Sequence, residues 1–232
     1  ASLDITIHEV YSQSEGCGPT TFNIPGKTRF GTVGPALPDI NVKIADDGEI
    51  VVKGPNVFKG YFKDEEATNA TLIDGWLQSG DLGSFDSEGF LNITGRKKEI
   101  IITAGGKNIA PKNIEAGLKN NELVSQAVVI GDRRKFLSAL ITLEEDAAAR
   151  YSEAHNVAVE RLHEDEGVIA EIQKTVDATN ALFARVEHIR KFTVLGRNFT
   201  VEDGELTPTL KIKRNKVSAH FESEIEAMYA EG

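Results

Sequence analysis

The sequence predicts an α+β fold in two parts, a β-rich part over residues 1–97 and a small α+β domain over residues 98–232. Three observations favour this fold class. Short alternating apolar runs, punctuated by Pro and Gly, fill about the first ninety residues and are typical of strands and tight turns. Helical spacing of apolar residues dominates the second half. A basic cluster, a β-branched run and a double glycine mark the change of character near Lys98.

The first part contains two predicted β-hairpins. Asn41–Ile44 alternates polar and apolar residues, Asp46-Asp47-Gly48 supplies turn chemistry, and Glu49–Val52 follows as the return strand. Leu82–Phe85 and Phe90–Ile93 predict a second pair of strands, joined through a turn that contains glycine. The sequence therefore indicates compact strand-and-loop structure in this part.

The second part opens with a short strand and a helix. Ile100–Thr103 is a β-branched run that predicts the strand. Pro111 is placed where the first helical position is expected, and Ile114 and Leu118 follow one turn apart. A strand followed by a helix that begins at proline is therefore predicted directly after the division between the parts.

Strands and helices alternate in the rest of the second part. Ala127–Ile130 and Leu137–Leu143 predict two strands with a charged turn between them. A long stretch with helical spacing follows over 145–184, in which four residues are expected on one face: Ile169, Ile172, Val176 and Phe183. A final helix is expected to bury another four: Val217, Phe221, Ile225 and Met228. These elements predict a small domain with a few strands and several helices.

Composition excludes some classes of protein. The net charge of −10 argues against a general nucleic-acid surface. The single cysteine, Cys17, permits no internal disulfide and suits a reducing compartment; an ordinary loop residue is favoured over a catalytic thiol. No apolar run approaches the ~20 residues that span a bilayer, and the first residues do not have the pattern of a signal peptide. The chain starts without Met and enters strand-like residues 5–10 at once, so we expect a piece of a longer protein.

Two loops of the first part carry groups suited to a nucleotide. The loop Tyr11–Gly16 combines an aromatic ring, a hydroxyl and a carboxylate, which could stack a base, contact a phosphate and hold Mg²⁺. The pair Gly80-Asp81 sets a carboxylate beside a glycine, so that it could accept two hydrogen bonds from a ribose diol at close approach. Taken alone, each loop is more simply explained as an ordinary turn.

Two segments of the second part are rich in lysine and glycine or proline. The segment Gly95–Glu115 contains a basic cluster, a buried strand, a double glycine and a helix that begins at proline, and its position favours a hinge. The segment Glu205–Arg214 is a loop with a fixed proline that projects lysines just before a helix. A lysine is a mobile point charge suited to a phosphate oxygen, although a basic solvated loop has the same composition.

These four segments, in this order and over essentially the whole chain, resemble the adenylate-forming superfamily of acyl-CoA synthetases, peptide-synthetase adenylation domains and luciferases. Thr207–Lys211 reads Thr-Pro-Thr-Leu-Lys, where most relatives have Gly before the lysine, and this favours the long-chain fatty acyl-CoA synthetase branch. The long helical stretch supports the same branch. The resemblance implies that residues 1–97 are the C-terminal β-rich part of the large ATP-binding domain, and that residues 98–232 are the complete mobile C-terminal domain.

The resemblance implies nucleotide contacts for five residues of the first part. Tyr11 would lie against adenine, Ser14 near the α-phosphate, and Glu15 would hold Mg²⁺. Asp81 would bind the ribose hydroxyls, and Arg96 would reach the ribose or a phosphate. Two serines of the first loop depart from the commoner family pattern: Ser12 replaces the usual glycine, and Ser14 replaces the usual threonine.

Five residues of the second part take roles by the same resemblance. Lys98 would be the hinge about which the small domain rotates. Gly105 would let the pantetheine arm of CoA pass, in a CoA-facing turn that also contains Gly106 and Lys107, with the lysine near nucleotide or CoA phosphates. Lys211 matches the lysine essential for adenylation.

The implied reaction joins a fatty acid to CoA through an acyl-adenylate, with ATP and Mg²⁺ required and AMP and pyrophosphate released. The family's phosphate-gripping Ser/Thr/Gly-rich loop is not found in this sequence, so the chain by itself is expected to be inactive. The expected location is cytoplasmic, with peripheral membrane contact of the full-length enzyme and no transmembrane segment.

Two alternatives remain at this point. The first is an acyl-AMP ligase that delivers its acyl group to a carrier protein, against which the sequence around Gly105 and Lys107 favours a passage for CoA. The second is a non-catalytic nucleotide-binding module of the same fold. In such a module, the residues that carry the chemistry would be expected to have been replaced. Four residues match the family pattern and oppose that interpretation: Glu15, Asp81, Arg96 and Lys211.

Overall fold

The computed structural model describes residues 7–230 of the 232-residue chain. The chain forms two compact units that divide between Glu99 and Ile100, close to the change of composition near Lys98. The first unit is dominated by antiparallel strands, and the second mixes strands and helices. Each unit has its own hydrophobic core, and each is described by itself below.

The first unit is built on a five-stranded antiparallel sheet. Its strands are β3 (Asn41–Ile44), β4 (Glu49–Lys53), β5 (Leu72–Ile73), β6 (Trp76–Phe85) and β7 (Leu91–Arg96). The order is β3-β4-β6-β5, and β7 also pairs with the long β6. A separate hairpin joins β1 (Val10–Gln13) to β2 (Gly18–Phe22), and a short helix, α1 (Glu65–Thr71), precedes β5.

Turn chemistry and alternation account for both predicted hairpins. Gly48 has a φ of +85°, a left-handed conformation that glycine adopts without steric penalty, and it connects β3 to β4 as predicted. The second hairpin pairs β6 with β7. Both predictions are confirmed, although β6 begins at Trp76, six positions before the predicted start at Leu82.

A three-stranded sheet forms the centre of the second unit. β10 (Val124–Ile130) pairs antiparallel with β11 (Leu137–Leu143), which pairs parallel with β12 (Ile189–Val194). A small two-stranded ribbon, β8 (Ile101–Ile102) with β9 (Asn108–Ile109), precedes α2 (Pro111–Leu118). Pro111 occupies the start of α2 as predicted, where its missing N–H is not required.

Helices cover both faces of this sheet because alternate strand residues point to opposite sides. Ala127 and Val129 belong to a cluster with α2, α3 (Glu145–His155) and α4 (Glu166–Asn180). Val128 and its neighbour Leu140 on β11 belong to a second cluster, which contains residues of α5 (Arg214–His220) and α6 (Glu222–Ala230). The predicted small α+β domain is thus a sheet between two helical layers.

The structure corrects three local predictions. The helical stretch over 145–184 is interrupted by a 3-10 helix over Val159–Glu164. Ile169 is exposed, and its predicted core position is taken by Val168, which is fully buried. Phe183 lies beyond the end of α4 and packs against the same core from there. The buried face of α4 therefore begins one residue earlier than predicted. Asp165 caps the N-terminus of this helix.

The final helix and the N-terminal strand also differ from expectation. The four predicted residues after position 216 are all buried, but the helix breaks at Phe221 into α5 and α6. Part of the strand-like stretch over 5–10 lies outside the described residues, and β1 begins only at Val10. His8 precedes that strand and contacts the ring of Phe22. No helix within residues 7–230 has the length and apolar character needed to cross a membrane.

Candidate functional site

The predicted nucleotide loop of the first unit is the tight connection between β1 and β2. Ser14–Gly16 forms one turn of 3-10 helix, and Cys17 closes it in the left-handed region at φ +47°. The φ angle of Ser12 is not positive, so its backbone conformation does not require glycine. The Ser12 hydroxyl donates to the carbonyl of Gly18 over 2.9 Å, and serine therefore fits at a position where glycine was expected. Ser14 is exposed, which leaves its hydroxyl open to a ligand.

Tyr11 and Asp81 come together although they are 70 positions apart in the sequence. The Tyr11 hydroxyl donates to Asp81 Oδ2 over 2.8 Å, and Arg96 Nε lies 2.9 Å from Asp81 Oδ1. β6 pairs with β7 so that Asp81 stands opposite Arg96. Three of the five predicted nucleotide residues therefore form one cluster.

Burial sets the chemistry of this cluster. Tyr11 is only 8% exposed and packs against the core of the sheet, and burial first, then the neighbouring Asp81 charge, raises the pKa of Tyr11 well above its ordinary value. The phenol therefore stays protonated and acts as a donor. Asp81 is 5% exposed, but each carboxylate oxygen has two lone pairs, so it retains capacity for further donors such as a ribose diol. Most of the Tyr11 ring is covered by its own unit, which leaves little of it for the predicted contact with adenine.

Glu15 is positioned by a segment that the sequence did not single out. The Tyr61 hydroxyl donates to Glu15 Oε1 over 2.7 Å, and the backbone N–H of Phe58 donates to the Glu15 carbonyl over 2.8 Å. The rings of Phe58 and Tyr61 meet edge to face with centroids 4.9 Å apart. One oxygen of the Glu15 carboxylate is thereby fixed, and the other has no hydrogen bond among the described residues.

The two lysines after β7 differ in their surroundings: Lys97 forms ion pairs, and Lys98 is exposed to solvent. Lys97 lies 2.8 Å from Glu49 Oε2 and 2.6 Å from Asp47, and these two carboxylates hold its pKa above the ordinary lysine value. Glu49 also accepts from the N–H of Gly80 over 2.8 Å, which ties Lys97 to the Gly80-Asp81 turn. Lys98 is exposed and lies in the 3-10 turn over Lys97–Glu99, next to the boundary of the two units.

In the second unit, the predicted CoA-facing turn connects β8 to β9. Gly106 has a φ of +73°, which favours glycine there, whereas the nearest atom to a Cβ built at Gly105 is 3.9 Å away. Crowding within the unit therefore does not require glycine at position 105, and the surface above it is open. Lys107 is exposed and its N–H donates to the Thr103 hydroxyl over 3.2 Å.

The tip of the β10–β11 hairpin holds that turn in place. The N–H of Arg133 donates to the Ile102 carbonyl over 2.8 Å, and the N–H of Ala104 donates to the Arg134 carbonyl over 2.9 Å. Asp132 accepts from the N–H of Ile102 over 3.1 Å. The turn is thus fixed by backbone contacts on both sides, with its glycines exposed.

Lys211 lies on an exposed loop between β12 and α5. Its N–H donates to the Thr207 hydroxyl over 3.0 Å, and its carbonyl accepts from the Thr207 N–H over 2.8 Å. Its ammonium has no ion pair or hydrogen bond within the part of the chain that the structure describes. Leu210 has a φ of +58° and is 65% exposed, so a bulky side chain occupies the left-handed conformation where most relatives were expected to have glycine.

The structure does not bring all predicted residues of the second unit together. No described contact joins Lys211 to the turn of Gly105, Gly106 and Lys107. Cys17 is exposed and unpaired in its tight turn, as expected of a loop residue. Within residues 7–230 no cluster of three or more His, Cys, Asp or Glu side chains could hold a metal by itself.

Three contacts at the site were not predicted from the sequence. Tyr61 orients Glu15, and the Ser79 hydroxyl accepts from the Asp81 N–H over 3.0 Å. Arg197 pairs with Glu205 near Lys211. A serine two residues before a buried Asp is a local pattern that could have been found. The other contacts join residues that no local pattern links.

Two family models match this sequence. The family described as AMP-binding enzyme C-terminal domain matches residues 98–232. The family described as AMP-binding enzyme matches residues 2–62. The first match covers more than half of the chain and begins at Lys98.

Curated relatives match over nearly the whole chain. The long-chain-fatty-acid–CoA ligase FadD15 of Mycobacterium tuberculosis is 46% identical over 229 residues, a match that covers 97% of this chain and 38% of that ligase. The long-chain-fatty-acid–CoA ligase ACSBG2 of Xenopus laevis is 35% identical over 255 residues, which covers 98% of this chain and 34% of that ligase. The chain therefore spans well under half the length of these relatives.

Solved structures match the fold. The O-succinylbenzoate CoA synthetase MenE of Bacillus subtilis, in complex with ATP and a magnesium ion, superposes with a TM-score of 0.67 at 30% identity, covering 90% of this chain and 40% of that one. The adenylation domain of a carboxylate reductase from Mycobacterium chelonae reaches a TM-score of 0.73 at 24% identity, covering 97% and 35%, which supports the fold alone. The predicted fold class is confirmed.

Proposed function

The chain belongs to the AMP-binding enzymes, and on that premise we propose that it is the C-terminal portion of a long-chain fatty acyl-CoA ligase. The proposed reaction has two half-reactions. A fatty-acid carboxylate attacks the α-phosphorus of ATP, the bond to pyrophosphate breaks, and an acyl-adenylate forms. The CoA thiol, as it loses its proton, then attacks the acyl carbonyl, and AMP leaves. The identity to long-chain ligases over 97% of this chain supports this substrate class.

The observation that carries the proposal is the cluster of Tyr11, Asp81 and Arg96. A buried carboxylate whose two oxygens are held by a phenol and a guanidinium is oriented before a ligand arrives. Asp81 would accept the ribose hydroxyls with its remaining lone pairs. Arg96 has a side chain that is 60% exposed, so it would reach the ribose or a phosphate while it keeps its contact with Asp81.

Glu15 and Ser14 are proposed to face the phosphates. The second oxygen of the Glu15 carboxylate is a hard ligand with no hydrogen bond to any residue that the structure describes. It therefore fits Mg²⁺, an ion commonly held by one or two carboxylates and by substrate phosphates. When bound there, Mg²⁺ would offset the negative charge that grows on the phosphate oxygens. The exposed Ser14 hydroxyl would donate to the α-phosphate.

Lys211 is proposed to stabilise the first half-reaction. Negative charge develops on the α-phosphate oxygens as the carboxylate attacks, and preorganised positive charge is commonly the largest single catalytic contribution. The Lys211 ammonium is exposed, and no carboxylate among residues 100–230 neutralises it, so it is available to a phosphate oxygen. Its loop position in front of α5 supports this role.

The second half-reaction is proposed to use the turn of Gly105, Gly106 and Lys107. The open surface above Gly105 would admit the pantetheine arm of CoA, and Lys107 would contact a phosphate of the nucleotide or of CoA. Lys98, at the boundary of the two units, is proposed as the hinge that lets the mobile domain serve each half-reaction in turn.

The cellular setting follows from this chemistry. Fatty acid, ATP and CoA are the proposed substrates, and we propose a cytoplasmic enzyme whose contact with membranes is peripheral. Fractionation of the complete ligase tests the location, because salt or mild alkali would release a peripheral protein and would leave an integral one in the membrane.

Substitution of Lys211 tests the proposed function. In the complete ligase that carries this chain, Lys211→Ala is expected to lower ATP–pyrophosphate exchange by about a hundredfold or more. Acyl-CoA formation from synthetic acyl-adenylate and CoA is expected to continue. Lys213→Ala, which removes a neighbouring exposed lysine, is the matched control and should leave exchange unchanged. Equal exchange in the Lys211 variant and the wild type would overturn the role of this residue.

The acyl acceptor is tested separately. We expect the complete ligase to use CoA, whereas preferential transfer to a holo-carrier protein would favour the acyl-AMP ligase reading. The 232-residue chain by itself is expected to form no acyl-CoA from fatty acid, ATP and CoA. Product formation by the chain alone, detected by mass spectrometry, would contradict this expectation.

A further inference from the structure

An ion pair with a buried carboxylate, Glu205, lies at the root of the loop that carries Lys211. Glu205 is completely buried, and Arg197 approaches its carboxylate with both terminal nitrogens, at 2.8 Å and 2.6 Å. His220, on α5, places Nδ1 3.0 Å from Glu205 Oε1. Because an ionised carboxylate only accepts, His220 Nδ1 carries a proton in this contact.

The backbone completes the enclosure of Glu205. The N–H of Thr200 donates to Glu205 Oε2 over 3.0 Å, and the N–H groups of Glu205 and Leu206 both donate to the Thr200 carbonyl, over 3.1 Å and 2.9 Å. Every approach to the carboxylate is therefore occupied by a donor. A side chain this completely bonded has a single position, which it imposes on its own backbone.

That backbone closes the Lys211 loop. The carbonyl of Glu205 accepts from the Lys213 N–H over 2.7 Å, and Leu206 forms a bridge with Ile212. Thr207 then bonds to Lys211 through both its N–H and its hydroxyl. Three successive residue pairs across one short loop therefore connect the buried carboxylate to the backbone of Lys211.

We propose that Glu205, clamped by Arg197 and His220, is the residue that positions Lys211 for adenylation. This inference rests on the proposed function of Lys211 and deepens it. Glu205 does not touch substrate; it fixes the root of the loop, so that the ammonium of Lys211 is presented from a defined position. Between Thr207 and Lys213 no side chain is buried, and Ile212 packs only partly against the core, so the clamp adds order to a loop that has little packing of its own.

The inference explains why a paired carboxylate is buried next to an exposed lysine. Taking a charge out of water costs free energy that its partner only partly returns, so such a contact is weak evidence for stability and better evidence for a fixed arrangement. Removal of one partner would leave an uncompensated charge. Misplacement of a catalytic group by about 1 Å can lower a rate by about a hundredfold. A clamp that keeps the Lys211 loop in one conformation therefore acts on the half-reaction that needs Lys211.

The test separates the two half-reactions of the complete ligase. Glu205→Gln keeps the shape of the side chain but loses its charge and turns an amide N–H₂ toward the guanidinium. We expect ATP–pyrophosphate exchange to fall by about tenfold or more through kcat, with the KM for the fatty acid unchanged. Acyl-CoA formation from synthetic acyl-adenylate should stay within about twofold of the wild type.

Two further variants make the result decisive. Arg197→Lys keeps the positive charge but loses the two-pronged contact, and since its side chain is 45% exposed, it disturbs folding less; we expect an intermediate fall in exchange. Glu164→Gln breaks another Arg–Glu pair of the same unit, with Arg161 in the 3-10 helix over Val159–Glu164, and should leave both half-reactions unchanged.

Each outcome decides the matter. A selective fall in exchange for the Glu205 and Arg197 variants supports the inference. An equal fall in both half-reactions would show a general structural role and overturn it, as would no fall in either. Lys211→Ala in the same assay keeps the two claims apart: if that variant exchanges normally, the proposed function fails, whereas a defective Lys211 variant beside normal Glu205 variants refutes only the positioning role.

Discussion

Tyr61 donates its hydroxyl hydrogen to Glu15 Oε1 over 2.7 Å, across 46 positions of sequence. This contact fixes one carboxylate oxygen of Glu15 and leaves the other, the proposed Mg²⁺ ligand, without a hydrogen bond among the described residues. The hydrogen bond to Glu15 raises the pKa of Tyr61 above its ordinary value, so the phenol remains a donor at neutral pH. Partners of this kind orient metal ligands, and their loss typically lowers metal affinity.

Tyr61→Phe in the complete ligase is therefore expected to raise the Mg²⁺ concentration that half-saturates ATP–pyrophosphate exchange by about tenfold, with the maximal rate largely restored at high Mg²⁺. The measurement is exchange as a function of free Mg²⁺. Tyr151→Phe is the matched control, because Tyr151 donates to another carboxylate, Asp165, in the second unit. An unchanged Mg²⁺ requirement in the Tyr61 variant would argue against the metal role of Glu15 or the orienting role of Tyr61.

Asp81→Asn is expected to remove discrimination between ATP and 2′-deoxy-ATP. The wild-type ligase should prefer ATP by at least about tenfold in kcat/KM, because the charged carboxylate accepts from the ribose hydroxyl. The variant should use both nucleotides with similar, low efficiency. Asp86→Asn provides the control, since Asp86 also pairs with an arginine, Arg29, near the end of β6. Retained preference for ATP in the Asp81 variant would place the ribose elsewhere.

Leu210→Gly is expected to stabilise the chain. A non-glycine residue in the left-handed region costs roughly 1 kcal/mol or more, and the exposed Leu210 side chain contributes little burial in return. Since glycine also gains entropy in the unfolded chain, we expect the free energy of unfolding to rise by about 0.5 kcal/mol. Urea denaturation of the chain measures it. Leu210→Ala keeps the Cβ and should show no gain; equal stability of the two variants would count against backbone strain.

Glu205 is expected to make the chain sensitive to acid. The guanidinium of Arg197, more than the contact with His220, lowers the pKa of Glu205 from 4.5 to about 2. As pH falls, the unfolded chain takes up this proton first, so the contribution of Glu205 is complete above about pH 5 and is lost as pH falls toward 2. The loss amounts to at most roughly 3 kcal/mol.

Urea denaturation at pH 7 and at pH 3 checks this expectation. Glu205→Gln cannot titrate, so its free energy of unfolding should fall less between these two pH values than that of the wild type. Other carboxylates whose pKa is lowered by arginine or lysine partners, such as Asp47 and Glu226, contribute equally to both proteins. Identical pH dependence of the two proteins would remove Glu205 as the source.

The sequence by itself determined the elements and the family. Strand alternation with a Gly48 turn, a helix that begins at Pro111 and apolar residues that recur along α5 and α6 are properties of neighbouring residues, so they are legible in a single chain. The same local character made the motifs around Glu15, Asp81 and Lys211 recognisable. Prediction failed where a small shift mattered, as at Ile169, because a helical face moves by 100° with each residue.

Only the tertiary structure decided which side chains meet. The contacts of Tyr11 with Asp81, of Tyr61 with Glu15 and of His220 with Glu205 depend on strand register and loop closure. Register is fixed by the sum of many pairings along a sheet, and no local pattern encodes it. The residue types therefore indicate the proposed chemistry, and the fold supplies the partners of the predicted groups, because distant segments become neighbours only when the sheet and its loops have formed.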